Sequence, residues 1–186
     1  MKNEELCSKQ RALELWDKDI ISSFEVGTYK GLAQIHAYLF QDIFNFAGKL
    51  RTVNLAKGNF RFAPVLFLQS NLKIIDQMPD NTFDEIVDKY VEMNIAHPFR
   101  EGNGRATRIW LDALLKDRLQ QCVDWSKIDK ADYLSAMERS PVNSLEIKVL
   151  LENALTEDIN NRQVYIRGIQ ASYRYENMES YNTEDM

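Results

Sequence analysis

Two cysteines, two histidines, four prolines and seven glycines are all that 186 residues contain of these types. Cys7 and Cys122 share neither metal-type nor redox-type spacing, which argues against a disulfide scaffold or a zinc site and leaves two reduced thiols. With so little proline and glycine there is no low-complexity linker, and one domain with a substantial core is expected. A basic excess is missing too. The net charge of −5 and pI near 5.2 argue against binding nucleic acid through a broad cationic face. No apolar run approaches the length of a bilayer span. Met1-Lys2-Asn3-Glu4-Glu5-Leu6 carries acids where a secretory leader is apolar. The expectation is a cytoplasmic chain that touches neither membrane nor nucleic acid directly.

What the chain does have is helical period. Hydrophobic residues make up 45% and charged ones 27%, ordinary for a soluble domain. Apolar positions recur mostly at helical spacing, so the fold class is all-α. The pattern predicts a helix over Glu4 to Trp16, then one carrying Leu32, Ile35, Leu39, Ile43 and Phe46 to a stop at Gly48. A third opens at Pro64. Thr82, with Glu85 at capping-box spacing, opens a fourth that ends at His97, because Pro98 disfavours helical geometry there. Further helices are expected from Asn103, over Lys130 to Glu138, from Ser140-Pro141 through Leu151, from Thr156 to Gly168, and from Ile169 to Asn177. Beyond them a polar tail should fray. One stretch, Leu50 to Ala63, changes period. Val53 and Leu55 alternate with polar residues, Lys57-Gly58-Asn59 supplies turn chemistry, and Phe60 and Phe62 flank Arg61, which together predict a β-hairpin.

Two of the scarce glycines fall in the run His97-Pro98-Phe99-Arg100-Glu101-Gly102-Asn103-Gly104-Arg105-Ala106-Thr107-Arg108. A helix starting straight after Gly-Asn-Gly exposes unpaired backbone N–H groups at the positive end of its dipole, which suits an anion. Arg105 and Arg108, three residues apart, project near that start, and arginine suits bidentate phosphate contact. Glu101 beside the cradle would repel phosphate unless a hard cation such as Mg²⁺ lay between. His97 is a candidate base near neutral pH, whereas His36 is read as a packed or capping side chain. The run is neither a Walker A loop nor a Rossmann fingerprint.

This run resembles the Fic signature, H-x-F-x-[D/E]-G-N-G-R-x-x-R, at every fixed position, and the likeness extends over most of the chain. The resemblance implies a Fic fold, a helical bundle around a central helix–loop–helix with a small β-hairpin flap. It implies transfer of AMP from ATP to a Tyr, Ser or Thr hydroxyl of a target protein. In those terms His97 would deprotonate the hydroxyl, Glu101 would hold Mg²⁺, and Gly102, Asn103 and Gly104 would form the anion hole. Arg105 would contact the phosphates and Arg108 the γ-phosphate. Lys57, Phe60 and Phe62 of the flap would hold the target segment by strand addition. Position in the fold points to Ser140-Pro141-Val142 for the adenine. Small toxin members act on type II topoisomerase subunits such as DNA gyrase, so the resemblance admits that target class, and it admits a homo-oligomer.

Ser172-Tyr173-Arg174-Tyr175-Glu176-Asn177 fits a second Fic motif, the inhibitory [S/T]-x-x-x-E-[G/N]. Ser172 and Glu176 share a helical face. The resemblance implies that Glu176 reaches Arg108 and takes the place of the γ-phosphate. It divides the chain into a catalytic domain over 1–168, an autoinhibitory helix over 169–180 and a flexible tail over 181–186. Self-modification of Tyr173 or Tyr175 would help hold that helix away. Two alternatives stay open: removal of AMP or transfer of another phosphate-containing group, and a nucleotide-binding regulator that does not turn over.

Overall fold

The longest helix has the widest apolar circumference, and the rest of the chain is arranged around it. In a computed structural model, which describes residues 3–186, this helix is Asn103–Leu119. Met1 and Lys2, the start of the acidic run noted above, lie outside the described residues. Ala106, Ile109, Trp110, Leu111, Leu114 and Leu115 are all buried, as expected of a helix packed on every side. The described residues form eight α-helices: α1 (Glu4–Asp17), α2 (Tyr29–Phe40), α3 (Val65–Asp76), α4 (Phe83–Ala96), α5 (Asn103–Leu119), α6 (Lys130–Arg139), α7 (Leu145–Asn153) and α8 (Arg162–Tyr175). Helices α2 and α4 flank α5, and α8 crosses it near its start. No helix among the described residues is long and apolar enough to cross a membrane.

Local chemistry sets most of the boundaries. Asn3 caps α1, Thr28 caps α2 and Asp129 caps α6, each accepting a bond from a first-turn N–H. At α4 the predicted capping box is complete: Thr82 Oγ1 accepts from Glu85 N–H, while the Glu85 carboxylate accepts from the N–H groups of Asn81 and Thr82. The predicted hairpin is present, with β1 (Ala56–Lys57) antiparallel to β2 (Phe60–Arg61) and Lys57 opposite Phe60.

Five expectations need correction. Helix α2 ends at Phe40, not near Gly48. Ile43 and Phe44 N–H both bond the Phe40 carbonyl, and Phe40, Phe44 and Phe46 stack in series at 5.2 and 4.7 Å. The apolar spacing beyond Phe40 therefore serves an aromatic ladder on successive turns, not a helix. A second strand pair joins β3 (Cys122–Val123) to β4 (Leu155–Thr156), so Thr156 belongs to a strand; two residues are too few to alternate visibly. Ser140 and Pro141 lie in a turn before α7. Helix α8 runs unbroken through Gly168, so the boundary drawn at 168/169 cuts one helix; Gly168 is where α8 passes close to Trp125. Finally, the 181–186 tail is docked. Thr183 is fully buried, its hydroxyl donates to Ile166 O at 2.8 Å and its N–H to Gln170 at 3.1 Å. Lys9, also fully buried, donates to Tyr181 O at 2.5 Å. Buried lysine and threonine need partners: Lys9 of α1 finds them in the C-terminal segment, and Thr183 finds them on α8.

Candidate active site

The 97–103 loop is held by side chains whose roles have no local signature. Asn103 is spent on the loop itself: Oδ1 accepts from Phe99 N–H at 2.9 Å and Nδ2 donates to Phe99 O at 2.7 Å. His36 bridges two segments. Its Nδ1 accepts from Gly48 N–H at 2.9 Å, which leaves Nε2 as the donor to Glu101 O at 2.8 Å. Its ring also stacks on Phe99 with centroids 3.8 Å apart. Gly102 has φ +82, and a Cβ there would come 2.5 Å from the Phe40 ring; only glycine meets both demands. The anion-hole expectation is thereby narrowed, since the Asn103 amide is committed to Phe99 and only its backbone N–H is left for an anion.

The first-turn N–H groups of α5 have no intrahelical partner, and the group above them is a carboxylate of this same chain. A Cβ on Gly104 would lie 2.5 Å from Glu176 Oε1 and 3.0 Å from Arg108 Nη1. Arg108, buried, donates from Nη2 to Glu176 Oε1 at 2.9 Å and to Ser172 O at 2.9 Å, and from Nε to Ser172 Oγ at 2.7 Å. The Tyr133 and Tyr175 rings lie 5.5 and 5.2 Å from the guanidinium carbon. Burial opposes ionisation of Glu176, but the Arg108 charge outweighs it and holds the carboxyl below its usual range. The predicted Ser172–Glu176–Arg108 constellation is therefore assembled, with Lys57 of the hairpin 4.0 Å from the other Glu176 oxygen.

Arg105 stands apart from it. Its side chain is 1% exposed and pairs with Glu4 at 2.9 Å and Glu101 at 3.5 Å. It lies 4.7 Å from the Phe40 ring, and its Nε has no partner. The structure places it between α1 and the loop, where it neutralises carboxylates, and does not bring it to Glu176. Glu101 is 62% exposed. Its Oε1 is held by Gly102 N–H at 3.1 Å and by Arg105, which leaves Oε2 toward solvent. One free, exposed carboxylate oxygen beside an anion cradle suits Mg²⁺, which takes one or two carboxylates and completes its shell with phosphate oxygens and water.

His97 terminates α4 in the left-handed region at φ 48. Its ring stacks on Phe62 with centroids 3.6 Å apart, so flap and candidate base touch. Nδ1 is buried against the α4 backbone at Asn94 without a hydrogen bond of normal geometry, and Nε2 is the nitrogen left to meet a substrate. Phe60 packs edge-on to Phe62 at 5.0 Å. Tyr173 and Tyr175 are core residues. Tyr175 donates to Trp125 O and Ile128 O at 3.0 Å, so modification of either requires α8 to leave first. Ser140 is buried while Val142 is almost wholly exposed. Sequence reasoning missed Tyr133, whose hydroxyl and ring face Arg108, and Arg51, whose guanidinium bonds main-chain carbonyls at both ends of the hairpin and at the end of α4.

Both histidines are held neutral. Burial pushes His36 and His97 down to about 4. Because these folded values lie below the unfolded 6.5, the folded state binds fewer protons between pH 6.5 and 4. Stability is therefore complete above pH 6.5 and falls as pH drops toward 4. The fully buried His36 contributes up to about 3 kcal/mol of that fall. Urea midpoints measured from pH 7 to 4.5 should decline less steeply for His36→Gln than for the parent; equal slopes would show that His36 is not the group responsible.

Residues 27–115 match the model of the Fic/DOC family. Protein adenylyltransferase VbhT of Bartonella schoenbuchensis is 31% identical over 166 residues, covering 83% of this chain and 34% of that protein. A probable protein adenylyltransferase Fic of Salmonella typhimurium is 26% identical over 138 residues, 68% of each. This chain thus spans about a third of VbhT and about two thirds of the second relative. Among solved structures, BepC of Bartonella tribocorum with bound AMPPNP superposes with a TM-score of 0.63 at 21% identity, over 80% of this chain and 84% of that one. BepA, a type IV secretion effector, gives 0.64 at 19% identity over 97% and 68%.

Proposed function

The chain carries a Fic/DOC-family domain, and on that premise we propose that it is a protein adenylyltransferase held in check by its own α8. The observation that carries this reading is Glu176 lodged over Gly104 against buried Arg108. A carboxylate of the chain is paired with the guanidinium at Gly104, beside the helix-start N–H groups, and those N–H groups and that guanidinium are the donors a polyphosphate would require. With α8 moved, Arg108 takes the terminal phosphate of ATP and the 102–104 backbone takes the phosphates before it. Glu101 would hold Mg²⁺, which when bound supplies neutralisation of the triphosphate charge.

The acceptor enters on the other side. The short flap has edge backbone free for strand addition, and Phe60 and Phe62 form its apolar face beside His97. His97 Nε2 takes the proton of a Tyr, Ser or Thr hydroxyl, whose oxygen attacks the α-phosphorus. The bond to the β-phosphate oxygen breaks in line, and pyrophosphate leaves. Positioning and charge placement supply the acceleration. A type II topoisomerase subunit is a candidate target, and the experiment below identifies whichever protein is labelled.

A cell lysate incubated with Glu176→Gly protein and ATP labelled at the α-phosphate should yield a labelled protein band, and none with label at the γ-phosphate. Label from the γ position would replace adenylyl transfer by phosphoryl transfer. Label from neither, with ATP still bound, would favour the regulator without turnover.

A further inference from the structure

Arg51 is buried, and every partner its guanidinium has among the described residues is a main-chain carbonyl. Nε donates to His97 O at 2.6 Å, Nη1 to Val53 O at 2.8 Å, and Nη2 to Ala63 O at 2.5 Å and Ala96 O at 3.0 Å. Its own N–H donates to Pro98 O at 2.9 Å. These acceptors are not scattered. Ala96 and His97 are the carbonyl end of α4, where orphan acceptors and the negative end of the dipole favour a cation. Val53 and Ala63 are the two stems of the flap. Ala63 N–H also bonds Ile95 O at 3.0 Å, and the Phe62 ring lies on His97. One planar fork therefore joins both flap stems to the residue that carries the imidazole.

The nucleotide side of the site is anchored separately. Asn103 and Phe99 clasp each other, and His36 bonds Glu101 O. Neither anchor passes through Arg51. We propose that Arg51 is the positioning residue of the acceptor half of the site, fixing the flap, and with it an added target strand, at a set distance from His97 Nε2. This rests on the adenylyltransferase reading and goes beyond it, because it divides the site into two halves held by different side chains. The fork matters as well as the charge: lysine offers a point charge and cannot reach four carbonyls in one plane.

The arrangement has an electrostatic corollary. The charges facing the His97 ring are Arg51 behind it, Lys57 from β1 and Glu176 from α8, with the main chain of Asn94 on its own helix. The Arg51 cation disfavours protonation of the imidazole, so the same side chain places the base and helps keep it neutral.

The test uses Arg51→Met and Arg51→Lys in the Glu176→Gly background, with three readouts: labelling rate of the same lysate band, ATP affinity by calorimetry, and imidazole titration by NMR. The chain has only two histidines, so both signals are assignable. Arg51→Met should slow labelling by about 10²-fold, the cost of misplacing reacting groups by about an ångström. ATP affinity should stay within about twofold, and the His97 titration should move up while His36 stays put. Arg51→Lys keeps the charge and loses the fork, so labelling should fall at least about tenfold with the His97 titration unmoved. Labelling within twofold of the parent in either variant overturns the proposal. So does loss of ATP affinity in proportion to labelling, which is what a merely structural role gives. Should Arg51→Met fail to fold, Arg51→Lys decides by the same split. If the parent labels no band, the transferase reading fails on its own, and ATP affinity and the His97 titration still judge Arg51.

Discussion

Glu176→Gly should raise the rate of AMP transfer by roughly 10- to 100-fold while making the protein less stable, the span expected if docking of α8 favours the closed state by about 1.4–2.8 kcal/mol. The two effects share one origin. Arg108 is buried, and its charge is matched by Glu176 Oε1 at 2.9 Å. Removing one partner of a fully buried pair costs ~3–5 kcal/mol. Here the carboxylate is a quarter exposed, and Ser172 still accepts from Arg108, so the loss is nearer 1–2 kcal/mol, or about 2–8 °C in melting temperature for a chain of this size. The vacated cradle then accepts phosphate. ATP should therefore stabilise the variant more than the parent, by mass action on the folded state. Glu176→Gln, similar in shape but neutral, should fall between the two in both rate and melting temperature. Parallel time courses with α-labelled ATP and thermal melts with and without ATP check this. A variant that is less stable yet no faster would mean that Glu176 is a structural partner of Arg108 and not a brake.

Some of this molecule was legible from sequence and some was not, for physical reasons. The 97–108 loop was legible because its chemistry is contiguous: the left-handed turn at Gly102, the helix start at Asn103 and Arg108 are spaced by local geometry alone. The Ser172–Glu176 pair was legible because one helical turn separates them. The Thr82–Glu85 cap was legible for the same reason. Arg51 was not, because its acceptors are backbone carbonyls at residues 53, 63, 96 and 97, which no residue type announces. His36 was correctly taken as packed, but its bond to Glu101 O joins residues 65 apart in the chain. The docked tail failed for a related reason. Polar residues near a terminus resemble a frayed end, yet Lys9, buried beneath the C-terminal segment, needs the carbonyls of Met178 and Tyr181.

That docking bears on the proposed brake. The segment just beyond Glu176 is tied to α1 through Lys9, and Glu5 accepts from both Lys9 and Tyr181 N–H. Arg105, on the central helix, reaches the same α1 through Glu4. On the proposed reading, release of α8 would therefore be a rearrangement at both termini, not the rotation of one side chain. A two-state element with this many specific contacts would give a discrete switch.

His97→Ala should lower AMP transfer by about 10²–10⁴-fold, the usual contribution of a positioned general base, with ATP affinity retained. Affinity survives because the cradle is built on Asn103, Gly104 and Arg108 and anchored by Phe99 and His36, none of which needs the imidazole. The effect is sharpened by the neutral state of the ring. A base at about 4 is unprotonated across physiological pH, so in the Glu176→Gly background the rate should not fall on acidification until pH approaches 4. The sign follows from the mechanism, since only the unprotonated ring accepts the hydroxyl proton. Without the ring the hydroxyl must lose its proton to solvent, so the residual rate of His97→Ala should climb with pH where the parent is flat. Because residue 97 sits at φ 48, a conformation that costs any L-residue about 1–2 kcal/mol and that alanine tolerates less readily than histidine, the alanine variant also carries some backbone strain. His97→Asn, which tolerates that conformation, separates lost chemistry from lost fold. Transfer within tenfold of the parent in both variants, with the same pH profile, would remove His97 from the chemistry and leave the loop as a nucleotide cradle alone.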